Sequence, residues 1–284
     1  MSVFKSRAKE LLAGKWKSAM VVALIMLAIV LIGRLNELTV DYSSLITNFK
    51  LDPSLIPMIN RNTLNPEYTK FLNAFLFIVS ILTLPLIAGI NRYWYRIGSG
   101  EEVSVRCIFH YFKSFKLFIR TYAIGLIITF ALIGYIILFV IATIIFLVLG
   151  QTAGYATIIF NILAVCSGIG GIVVLIMKVY SYFLVMYIFV NDDSCKITSL
   201  LKLSTNKMKG LKMKAFILQL SFIGWDILCS LLVGLSSLIF PYNLFVILSI
   251  PAYLYVQPYK NTTFAVFAHS LIDNEKDVAT NVEQ

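Results

Sequence analysis

A chain of 284 residues with 59% hydrophobic and 13% charged residues and a mean hydropathy of +0.86 carries about half the charge of a soluble globular domain. That balance excludes a water-soluble enzyme or binding module and predicts an integral membrane protein. The net charge of +10 does not point to nucleic acid, because Lys and Arg gather in three segments beside apolar runs, as the positive-inside rule requires.

At the start, Phe4, Ala8, Leu11, Leu12 and Trp16 recur at helical spacing while Lys5, Arg7, Lys9 and Lys15 take the other faces, the pattern of a helix lying in the membrane interface. Residues 19–35 read as a first span, uncleaved because no small-residue cleavage site follows it. The polar stretch 34–70, with Pro53, Pro57 and Pro66 and balanced charge, suits the outer side. Residues 71–90 form the second span, kinked at Pro85, with Trp94 and Tyr95 as interfacial aromatics. After a turn over 98–102, Val103, Cys107, Tyr111 and Phe115 share a helical stripe among Arg106, Lys113 and Lys116, which predicts a second basic amphipathic helix.

Residues 121–149 make a third span, longer than a bilayer core of about 30 Å needs. The fourth, 155–190, contains Gly168, Gly170 and Gly171. These glycines admit two readings, close approach of a neighbouring helix or an unwound binding segment. The linker 191–214 is basic and amphipathic. Asp192 to Ser194 can cap its helix, Ile197, Leu200, Leu201, Met208 and Leu211 form its stripe, and Lys202, Lys207, Lys209, Lys212 and Lys214 are expected on the lipid surface of the anionic inner leaflet. The fifth span is 215–234, and the sixth is 243–262 with bends at Pro251 and Pro258. The fold expected is therefore an all-α integral membrane protein: six transmembrane helices in a single domain over 1–272, basic amphipathic interfacial helices before spans 1, 3 and 5, and a polar cytoplasmic tail over 273–284. Both termini lie inside, because the basic segments do. The local wording before the first and fifth spans is similar, Gly14-Lys15-Trp16-Lys17-Ser18-Ala19 against Gly210-Leu211-Lys212-Met213-Lys214-Ala215, which hints at repeated helix-plus-hairpin units.

Two charges fall at depth within the apolar arms around the linker, Lys178 before it and Asp226 after it. Each stands about 12 residues from the basic side, so at 1.5 Å per residue both lie roughly 18 Å in, and a Lys178–Asp226 pair is expected. Cys107 and Cys195 lie in basic loops and Cys166 and Cys229 in apolar runs, so no extracellular disulfide is set up. With His110 and His269 the only histidines, and no CxxC, HExxH or Walker loop, neither a metal nor another cofactor is expected.

Ala8-Lys9-Glu10-Leu11-Leu12 with Gly14 and Trp16, the turn Gly98-Ser99-Gly100-Glu101-Glu102, the run from Ser204 through Lys207-Met208-Lys209-Gly210 to Ser221-Phe222-Ile223-Gly224-Trp225, and Pro258-Tyr259 with Thr262, Thr263, Ala265 and Phe267 resemble the bacterial polytopic membrane proteins grouped as domain of unknown function 975. The third and fourth spans depart from that pattern, with Gly150-Gln151-Thr152-Ala153-Gly154 where a proline-glycine turn belongs. The resemblance implies a bacterial cell-membrane location and supplies no catalytic residue. The function expected is a non-enzymatic accessory in transport, export or immunity, working in the bilayer with lipids or another membrane subunit. The alternatives are a small-molecule or ion transporter using Lys178 and Asp226, and, behind it, a lipid-processing enzyme whose acid-base candidates are Glu101, Glu102 and His110.

Overall fold

The computed structural model describes residues 2–33, 66–152, 154–239 and 246–282, and among these the chain is entirely helical. Nine α-helices follow in order: α1 Ser2–Leu12, α2 Trp16–Gly33, α3 Pro66–Gly98, α4 Phe115–Thr152, α5 Thr157–Ser181, α6 Val185–Asn191, α7 Ile197–Lys207, α8 Lys212–Ile239 and α9 Val246–Val282, with a 3₁₀ segment Val105–Phe112 between α3 and α4. Four stretches among the described residues are long and apolar enough to cross a membrane: Trp16–Gly33, Lys70–Gly98, Phe115–Thr152 and Gly154–Asn191. They mark a multi-pass membrane protein. Most of the expected loop 34–70 and part of the outer turn before the sixth span lie outside the described residues.

The buried core sits at the basic ends of the helices and not midway along them. Tyr93, Trp94 and Ile97 of α3, Tyr111 of the 3₁₀ segment, Phe189 of α6 and Phe267 of α9 are all buried there. Aromatic edges and faces fill this layer: Tyr111 stacks on Phe189 at 5.2 Å, and Phe4 of α1 meets Phe267 edge-on at 5.3 Å. By contrast the middle of α4 and α5 is bare. Leu138, Ile144, Ile158 and Ile169 are exposed, as they must be if hydrocarbon is their solvent, since such a surface would be an aggregation site in water.

Three differences from the expected elements have physical causes. First, the segment after α3 is 3₁₀, not α. Its three-residue period aligns Val105, Ile108 and Tyr111 toward the core, and Phe115, assigned above to the buried stripe, is 78% exposed. The tighter helix is held close to α3, where a Cβ on Gly89 would stand 1.7 Å from the Ile108 carbonyl oxygen; only glycine fits. Second, the fourth span is unbroken at its glycines and breaks later, over 182–184, between α5 and α6. The Ser181 carbonyl at the end of α5 accepts from the Ser204 hydroxyl of α7 at 2.7 Å, so an orphan acceptor of the helix terminus is satisfied. Third, α9 continues through the expected tail to Val282.

Pro85 lies inside α3, where it removes the N–H that would have served the Ile81 carbonyl. The Tyr122 hydroxyl of α4 donates to that carbonyl instead, so the two spans are stitched at the defect. The suspected repeat is visible between the first and last units. Gly14 and Gly210 both adopt φ 78°, a left-handed conformation that glycine takes without penalty. Their flanks bond alike, Lys15 N–H to the Leu12 carbonyl at 2.9 Å and Leu211 N–H to the Met208 carbonyl at 3.1 Å. Ala8, Leu12, Ala19 and Val22 are buried at the same offsets as Ser204, Met208, Ala215 and Leu218. The middle unit passes from its 3₁₀ segment to α4 through Lys113 and Ser114, without a glycine.

Candidate functional site

The expected Lys178–Asp226 pair does not form. Asp226 on α8 accepts from Lys260 on α9, with Nζ to Oδ2 at 2.6 Å, while Lys178 lies with its Nζ 4.5 Å from the ring centroid of Tyr135 on α4. Depth matching was too coarse to choose between neighbours. Because the chain breaks after Ser181, Lys178 is near the end of its helix, and the nearest aromatic on the packed α4–α5 hairpin captures it. The three glycines form no unwound site. All lie inside α5, and Gly171 meets Phe139 so closely that a Cβ would stand 2.8 Å from the Phe139 Cβ, whereas a Cβ on Gly168 would meet nothing within 4 Å. Close packing at Gly171 is the reading that holds.

Of the surface lysines, Lys202, Lys209 and Lys214 are exposed and Lys212 is half-buried. Lys207 instead turns inward, donating to the Leu271 carbonyl of α9 at 3.2 Å. The acid-base candidates do not gather as a group. Glu101 accepts from the Ser99 hydroxyl at 3.0 Å and lies 3.7 Å from Arg96, and His110 belongs to a different cluster.

That cluster was not foreseen. Asp193, two residues beyond α6, reaches into the packed layer and holds donors on both oxygens. Arg92 Nη1 of α3 lies 3.0 Å from Oδ2 and 3.2 Å from Oδ1, His110 Nε2 is 2.8 Å from Oδ2, and the Tyr111 hydroxyl donates to Oδ1 at 2.9 Å. A carboxylate only accepts, so the His110 Nε2 is the donor in its pair. Arg92 also donates to the Val190 carbonyl at 3.3 Å, covering the last turn of α6. With side chains only 12% and 23% exposed, the Arg92–Asp193 bond is shielded from water, and removing one partner would strand the other. Burial pushes the Tyr111 hydroxyl up, and the adjacent Asp193 charge adds to the shift, so Tyr111 remains a donor. The arrangement fastens the loop after α6 to α3 and the 3₁₀ segment.

The model of the family described as "Protein of unknown function (DUF975)" matches residues 1–275. The chain belongs to the DUF975 family. No curated protein and no solved structure matches it. In this DUF975 chain the residue beside Asp193, Asp192, folds back on its own loop and caps no helix; the N-cap position of α7 is Lys196, without a side-chain cap. Its Oδ1 accepts from the Ser194 N–H at 2.9 Å and hydroxyl at 2.6 Å, and its Oδ2 from the Cys195 thiol at 3.0 Å. The thiol and Ser194 donors hold the Asp192 carboxyl down at about 2, and the same hydrogen bond to Asp192 pushes the Cys195 thiol up to about 11. Arg120 of α4 closes the loop from the other side, donating to the Cys195 carbonyl. Among the described residues no three His, Cys, Asp or Glu side chains are grouped as metal ligands.

Proposed function

We propose that this DUF975 protein is a six-span cell-membrane protein with both termini cytoplasmic, acting without catalysis within the bilayer as an accessory in transport, export or immunity. The observation that carries the reading is the Asp193 cluster: a carboxylate with Arg92, His110 and Tyr111 on its two oxygens ties α3, the 3₁₀ segment and the loop after α6 together. Asp226 is likewise neutralised by Lys260. Lys178 has Tyr135 and Asp226 has Lys260 as its neighbour, which favours the accessory reading over a transport path between the two charges.

The basic, aromatic layer then lies on the cytoplasmic side, with Lys202, Lys209 and Lys214 toward the anionic leaflet. The test is reconstitution of the purified chain into vesicles, with uptake of labelled ions, amino acids and sugars measured under imposed gradients. An accessory gives no flux above empty vesicles until a partner subunit is added. Gradient-driven uptake by the chain alone would make it the transporter.

A further inference from the structure

The α4–α5 hairpin carries one cation at depth that the fold does not neutralise. Lys178 has its Nζ 4.5 Å from the ring centroid of Tyr135, Tyr182 is its other polar neighbour, and no carboxylate pairs with it among the described residues. Arg120, earlier on α4, donates to the Cys195 carbonyl in the basic layer. Tyr135 comes fifteen residues after Arg120 and seventeen before Thr152, the last residue of α4, so it stands about 22 Å from the basic layer and about 26 Å from the far end. A hydrocarbon core is about 30 Å thick. The ammonium, held against Tyr135, is therefore within hydrocarbon and away from the phosphates of either leaflet. Charges within spans are costly there and almost always pair with an opposite charge or with backbone carbonyls. The surface around Lys178 is open: Ile137 and Leu138 of α4 and Met177 and Val179 of α5 are exposed. Gly134, beside Tyr135, is exposed too, and a Cβ there would meet nothing within 4 Å, which leaves the α4 backbone open to close approach by another helix.

We infer that this face of the α4–α5 hairpin docks one transmembrane helix of a different protein, a helix carrying an Asp or Glu near mid-bilayer, and that Lys178 receives that carboxylate. A lipid phosphate stands at the wrong level. A second copy of this chain has no free acid to offer: among the described residues of the six expected spans Asp226 is the only carboxylate, and it accepts from Lys260. The inference gives the partner subunit of the accessory reading a chemistry and rests on that reading.

The test reconstitutes the full chain at pH 8 in phosphatidylcholine vesicles with synthetic leucine-alanine peptides about 22 residues long, enough to span the core. Each peptide bears a diazirine-leucine beside a central Asp or Asn, and the yield of cross-linked chain is read on a gel. The Asp peptide should cross-link roughly three- to fifteenfold more than the Asn peptide, the range that polar contacts between membrane helices support, with adducts on α4 and α5. Lys178→Gln should reduce the Asp yield to the Asn level. With the unaltered chain, moving the Asp eight residues toward either peptide end should also remove the preference, so the test survives a Lys178→Gln variant that fails to fold. Equal yields for the Asp and Asn peptides, an Asp preference that Lys178→Gln leaves intact, or one indifferent to the depth of the Asp would each overturn the inference. So would loss of the preference when phosphatidylglycerol replaces phosphatidylcholine, which would assign Lys178 to a lipid phosphate. Gradient-driven flux by the chain alone sinks the accessory reading without altering these yields, whereas loss of the charge preference sinks only this inference.

Discussion

Replacing Gly89 by alanine should loosen the packed layer out of proportion to the one methyl group added. The new Cβ would stand 1.7 Å from the Ile108 oxygen and 2.6 Å from its carbonyl carbon. These are backbone atoms, so no rotamer change relieves the clash, and the 3₁₀ segment must retreat until the contact reaches an ordinary 3.4 Å. Overpacking alone costs about 1–3 kcal/mol. The retreat also drags His110 and Tyr111 away from Asp193, and each hydrogen bond to a charged group is worth roughly 1.5–3 kcal/mol. Against this, alanine regains about 1 kcal/mol of helix propensity over glycine. The net loss is on the order of 3–8 kcal/mol, a fall in midpoint of roughly 6–30 °C for a chain this size. Gly168→Ala is the matched control, because its Cβ meets nothing within 4 Å and the same propensity gain of about 1 kcal/mol is unopposed. Fluorescence-detected thermal unfolding in detergent compares the two. Gly89→Ala melting at the parent temperature would refute the close approach of the 3₁₀ segment to α3.

Other consequences can be checked alongside. Asp226→Asn should destabilise the protein by about 2.5–3.5 kcal/mol by stranding Lys260 in the apolar bundle, and adding Lys260→Gln should recover most of the loss; rescue by Lys178→Gln instead would restore the pairing that the structure replaces. Asp192→Asn should release the Cys195 thiol from its raised position near 11 toward the ordinary range, so maleimide labelling at pH 8 should speed up about tenfold, the larger thiolate fraction being offset by lower nucleophilicity; an unchanged rate would remove the Asp192 hydrogen bond from the account. Replacing Lys202, Lys209 and Lys214 by Gln should weaken binding of the 191–214 peptide to anionic vesicles by about 1 kcal/mol per residue while leaving the thermal midpoint of the whole protein alone, whereas Lys207→Gln should lower the midpoint, because that lysine bonds to the Leu271 carbonyl inside the fold.

Four of the six expected spans were legible because twenty apolar residues in a row have few other uses, and the likeness of the Gly14 and Gly210 segments because it is written in their local sequence. What could not be read follows from contacts distant in sequence. No glycine or proline marks the break after Ser181; it is held by Ser204 and by the packing of Phe183 against Phe264 and Phe267, at ring distances of 5.8 Å and 6.1 Å. Val103, Cys107, Tyr111 and Phe115 fit an α period as well as Val105, Ile108 and Tyr111 fit a 3₁₀ period, and only the proximity of Gly89 decides between them. Asp193 was concealed by Asp192, since two adjacent acids before a helix read as a cap. The signal that could have exposed it was scarcity: few acids occur in the basic segments, and Arg92 and His110 stand apart from the lysine clusters as groups suited to a directed bond. Asp226 has Lys260 within reach as well as the expected Lys178, and matching by depth picked the wrong one.

The orientation of the packed basic layer can be measured directly by cysteine accessibility in intact cells. Native Cys195 is a poor reporter, because its thiol is pushed up to about 11, so the four cysteines are first replaced by serine. Single cysteines are then placed at Ser43, in the stretch outside the described residues, and at the exposed Lys209. With an impermeant maleimide, the account predicts that position 43 labels in whole cells and position 209 only after lysis. Labelling of position 209 in intact cells, with position 43 protected until lysis, would contradict it.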